Sequence, residues 1–64
     1  MRPVQSFIVT IEGPGWTETD EVELLGLPDD GEPIETKVGT CVVTHTEPLP
    51  STERHDGRIV CRLS

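Results

Sequence analysis

"WTETDEVELLGLPDDG", residues 16–31, decides the fold, because it reads in two ways. As a helix, Thr17 or Thr19 would be the cap, acids would fill the first turn, Gly26 would stop it and Pro28 would follow. As a strand, Glu21-Val22-Glu23-Leu24 alternates between one wet and one dry face. Length separates the two. A helix from Thr19 to Leu25 would have about two turns, with only Val22 and Leu25 at helical spacing, and isolated helices that short are marginal. A strand is therefore expected, with Val22, Leu24 and Leu27 facing inward and Glu21 and Glu23 facing water.

Outward from this segment the pattern stays of period two. "VQSFIVTIE" (4–12) places Phe7, Val9 and Ile11 on one side, and its β-branched content suits a strand. Gly13-Pro14-Gly15 then breaks the chain. "PDDGEP" (28–33) reads as a turn. "IETKVGTCVVTHT" (34–46) reads as one long strand, with Gly39 suited to a bulge that switches faces midway. "EPLPSTERHDG" (47–57) is a loop that Pro48 and Pro50 would stiffen into an extended arm. "RIVCRL" (58–63) closes the chain, with Ile59, Cys61 and Leu63 on its dry side. Four to five strands and no helix predict an all-β chain, a small antiparallel β-barrel or sandwich forming a single domain over residues 1–64. Closure is favoured because it leaves no long edge to aggregate.

Such a chain is near the lower limit for independent folding. It has 64 residues, 33% of them hydrophobic, and its aromatics are Phe7 and Trp16 alone. At ~25 cal/mol per Å², burial roughly cancels the entropy of ordering in so small a chain. A crosslink, a protein partner or a homodimer would supply the missing stabilisation. The net charge of −7 disfavours nucleic acid or an anionic membrane as a direct partner. Nine carboxylates and Arg2 alone fall within residues 1–35, whereas residues 36–64 are close to balanced. No stretch approaches the ~18 apolar residues of a membrane span, and the N-terminal run lacks the pattern of a signal peptide. A cytoplasmic location is expected.

"VTIEGPGWTETDEVELLGL" (9–27) resembles a segment of the second domain of translational GTPases such as elongation factor Tu, where a strand, a turn and a "G-D/E-E-V-E-I-V-G" strand build a small β-barrel. "DGRIVCRLS" (56–64) is similar to the closing strand of that domain. The resemblance spans about Phe7 to Leu63 and implies a small β-barrel; in the family that barrel packs on a nucleotide-binding domain and helps hold the aminoacyl end of tRNA, contacts whose positions are not carried over to this chain. Thr19 stands where the family has Gly. No G-x-x-x-x-G-K-S/T loop is present, so the resemblance implies no GTPase activity.

No enzymatic site and no cofactor are expected. Cys41, His45, His55 and Cys61 could in principle hold zinc, but Cys41 and His45 would lie ~13 Å apart on a straight strand. Cys41 and Cys61 would meet if the third and last strands were neighbours. Nothing in the sequence indicates an oxidising compartment, so two reduced core thiols are expected. Ser51, His55 and Asp56 share a loop without the rigid support and oxyanion donors that a hydrolase needs. The acids of 18–35 lack the alternating ligand pattern of a calcium loop.

Binding is the expected role. Trp16 beside a Gly-rich break is either an anchor or a plug for the barrel end. Glu18, Asp20, Glu21 and Glu23 would offer one acidic face, which in its plainest form is a solvated surface. Leu49, Arg54 and His55 belong to a loop long enough to carry function. These residues predict a non-enzymatic module for a protein partner. The alternative is an inhibitor whose carboxylates imitate phosphates and occupy a nucleic-acid-binding protein.

Overall fold

The computed structural model of the chain describes residues 4–63, and it is all-β. Strand β1 (Gln5–Gly13) reverses through Pro14 and Gly15 into β2 (Trp16–Leu24). Gly15 takes a φ of +76°, open to glycine at little cost. The segment that decides the fold is thus a strand, and it begins at Trp16. Strands β3 (Pro33–Thr36), β4 (Gly39–Pro48) and β5 (Gly57–Leu63) follow. Helix is absent among the described residues, so none is long and apolar enough to cross a membrane.

The five strands form one sheet in the order β2-β1-β5-β4-β3. The antiparallel pair β1–β2 and the antiparallel run β3–β4–β5 meet through β1 and β5, their most apolar members. That central pairing is parallel, with Phe7 opposite Gly57, Val9 opposite Ile59 and Ile11 opposite Cys61. The expected purely antiparallel, closed barrel is therefore corrected to a mixed sheet curled into a half-barrel. Closure fails for a local reason. Edge strand β3 has only four residues and starts at Pro33, which has no N–H to donate, so it offers the nine-residue edge strand β2 few ladder positions.

The concave face holds the core: Phe7, Val9, Ile11, Ile34, Cys41, Val43, Ile59 and Cys61 are buried, with Val22 and Leu24 packed against them. Leu27 does not join them fully but leans toward Gly57, where a Cβ would come 3.1 Å from its Cδ2.

Three further expectations are corrected. The stretch 34–46 is a hairpin, not one long strand. Thr36 Oγ1 donates to the Gly39 carbonyl and accepts from the Val38 N–H, and Gly39 takes a φ of +122°. The switch of faces comes later than Gly39, at a bulge between Val43 and His45. The cysteines are joined. Cys41 lies opposite Leu63 and Cys61 opposite Val43, so the pair are diagonal neighbours on the concave face, with Cα atoms 5.6 Å apart. That distance lies in the range a disulfide spans.

Candidate functional site

The register of β2 on β1 determines what the acidic strand can present. Val22 sits opposite Phe7, Asp20 opposite Val9, Glu18 opposite Ile11 and Trp16 opposite Gly13. All four therefore share the concave face. Glu21 and Glu23, opposite Ile8 and Ser6, lie on the convex face. The four carboxylates expected to form one acidic face are divided two and two by strand alternation.

Three of them are engaged. Asp20 is a latch across the seam between the free edges of the sheet. Its Oδ2 accepts from the Lys37 N–H of the β3–β4 turn at 3.0 Å, and its Oδ1 accepts from the Glu21 N–H at 2.8 Å. Those two backbone donors, the Lys37 bond foremost, hold the Asp20 carboxyl below its ordinary value. Glu18 Oε2 lies 3.7 Å from Lys37 Nζ. On the convex side Glu21 Oε2 meets His55 Nε2 at 2.5 Å. Glu47 and Glu12 face Arg58 and Arg62 there at 4.0 and 3.9 Å, so the convex surface is of mixed charge.

The 49–56 loop is folded back, not extended as an arm. The Leu49 N–H donates to the Asp56 carbonyl, and the Glu53 N–H to the Pro50 carbonyl. Asp56 pins the loop to β1: its N–H donates to the Ser6 carbonyl at 2.8 Å, and its Oδ2 accepts from the Ser6 N–H at 2.8 Å. Leu49 is half-buried, Arg54 exposed, and His55 is turned onto Glu21. Ser51, His55 and Asp56 thus do not act on one another. Cys41 and Cys61, bonded together, offer no thiolate to a metal.

Trp16 lies flat over Gly13, where a Cβ would overlap its ring atoms Cε2 and Cζ2, and 37% of it stays exposed. With Pro14, Arg62 and Leu63 it borders an open concavity at one end of the half-barrel.

A second concavity, of about 610 Å³, was not anticipated from the sequence. It follows the seam past the Asp20 latch, between the end of β2 and β3. Leu24, Leu25, Leu27 and Ile34 line it, and Glu23, Glu32 and Glu35 form its rim, with no cation among the described residues. Leu25 is 64% and Leu27 38% exposed. The signal in the sequence was the pair of leucines flanking Gly26 just beyond the last alternating residue, where a loop would ordinarily be polar.

No known protein family matches the chain, and no curated protein or solved structure does either.

Proposed function

We propose that this chain is a non-enzymatic binding module that recognises a protein partner through the open seam of its half-barrel. One observation carries this reading: apolar side chains that a closed barrel would cover stand exposed along the gap between β2 and β3. Burying a leucine fully stabilises by about 1.5–3 kcal/mol, so covering this lining would supply much of the energy of a specific contact. Trp16 and the folded loop at 49–56 are further contact surfaces in this reading.

The phosphate-mimic alternative has less support from the geometry. A mimic needs a row of unpaired carboxylates, whereas those of β2 are split between two faces and Glu18, Asp20 and Glu21 have partners of their own. The resemblance to the second domain of translational GTPases makes the translation machinery one place to look for the partner. A buried disulfide fits an oxidising setting better than the cytoplasm expected from the sequence.

The test is affinity capture from lysate of the source organism, with nuclease present and washes at low and high salt. A protein retained at high salt by the wild type and lost with Leu25→Asp is the expected result. Leu25 is exposed enough for that change to leave the fold intact. Recovery of nothing but nucleic-acid-binding proteins that wash off with salt would replace this reading with the mimic.

A further inference from the structure

The seam has a backbone feature that narrows the class of partner. In an antiparallel pair, residues alternate between bonding to the neighbouring strand and pointing away from it. Ser6 bonds away from β2, since both its N–H and its C=O are taken by Asp56. Across from Ile8, the Glu21 N–H turns outward to Asp20 Oδ1. Glu23, two residues further on and opposite Ser6, follows the same phase, so its N–H and C=O leave from the free edge of β2. The Asp20 latch covers the Glu21 position. Beyond it, among the described residues, the ladder is open at Glu23, beside the apolar floor of Leu25 and Ile34.

We propose, resting on the binding-module reading, that this seam takes an extended segment of a protein partner, added as a further strand along β2, with apolar and Lys or Arg residues alternating. The open ladder position calls for an extended backbone rather than a helix. The apolar floor calls for aliphatic side chains on one face of that strand. The basic residues follow from charge complementarity: Glu23, Glu32 and Glu35 rim the groove, and no cation lines it among the described residues. The same acids oppose a second copy of this chain, whose β2 would bring Glu21 and Glu23 against them.

The experiment is an NMR titration of the full ¹⁵N-labelled chain with a short synthetic peptide alternating lysine and valine. The Glu23 amide should shift and become protected from hydrogen exchange, with shifts at Leu25 and Ile34. Affinity should fall about tenfold or more for Leu25→Asp and for the combined Glu23→Gln, Glu32→Gln, Glu35→Gln variant, and should weaken with salt. A peptide of the same charge but N-methylated on one edge keeps the electrostatics and cannot ladder, so it should not bind. A glutamate–valine peptide should not bind either. Undiminished binding of the N-methylated peptide, or shifts confined to Trp16 and the convex face, would overturn strand addition. If no peptide binds while the captured partner still depends on Leu25, strand addition falls and the binding-module reading stands.

Discussion

Loss of the Cys41–Cys61 bond should remove a large share of the stability of this chain. The bond spans a sequence separation of 20. Closing a loop of that length lowers the entropy of the unfolded chain enough to stabilise the fold by about 3 kcal/mol. A 64-residue domain at the usual stability per residue has only about 3–10 kcal/mol in total. Loss of the bond therefore takes between a third and all of it. The assay is urea unfolding followed by Trp16 fluorescence, on the oxidised chain, on the reduced chain with its thiols confirmed by mass, and on Cys41→Ala/Cys61→Ala. At about 1 kcal/mol per molar urea, the midpoint should drop by about 3 M or the fold should be lost outright. A midpoint that moves by less than about 0.5 M on verified reduction would refute the reasoning, and would mean that the core closes without its crosslink.

Asp20→Asn should remove an acid-sensitive contribution. A carboxyl held below its ordinary value of 3.8 stabilises the fold above that pH and loses its effect as pH falls through the lowered value. The wild type should lose stability there more steeply than the variant, by less than about 1 kcal/mol because the latch is wet; parallel acid limbs in circular dichroism would contradict this. Gly13→Ala places a Cβ within the Trp16 ring, so the indole should swing into water, with red-shifted emission and a loss of about 1–2 kcal/mol. Unchanged emission would show that the ring does not rest on Gly13. Gly57→Ala brings a Cβ to 2.9 Å from Phe7 Cδ1 and Cε1 and should cost about 1–3 kcal/mol in chemical denaturation, as overpacking does.

The strands were legible where one face is dry. Phe7, Val9 and Ile11, and again Ile59 and Cys61, alternate without interruption, and β2 was readable once a two-turn helix was judged too short. Topology was not legible, because the parallel pairing of β1 with β5 depends on contacts between the two ends of the chain. The β3–β4 hairpin escaped notice because Lys37-Val38 carries no Asn-Gly or Asp-Gly signal; a threonine side chain and one glycine make the turn instead. That error hid the shortness of β3, which leaves the half-barrel open. The crosslink was missed for a different reason: the contact between Cys41 and Cys61 was foreseen, but reduced thiols were expected because nothing in the sequence indicates an oxidising compartment. For the site, the adjacency of the acids of residues 18–23 in sequence suggested one surface where a strand makes two. The groove itself draws on Glu32, Ile34 and Glu35 from across the seam, which only the fold brings to Leu25.

The carboxylates beside that seam have two consequences that one measurement can separate. An exposed nine-residue edge strand is a hazard for self-pairing, and charge along such an edge is a common protection. The same charge selects which foreign strand is admitted. If both hold, replacing Glu23, Glu32 and Glu35 together with glutamine should weaken the lysine–valine peptide and also let the chain pair with itself. Like charges directly opposed across two strands each destabilise by roughly 0.2–1 kcal/mol, so removing several raises the dimerisation constant by about tenfold or more. Sedimentation velocity over a range of concentrations reads this directly. A variant that stays monomeric while its peptide affinity collapses would assign the acids to partner choice alone. A variant that dimerises but binds the peptide as before would leave them with protection only, and the partner's basic residues would then have no role at this edge.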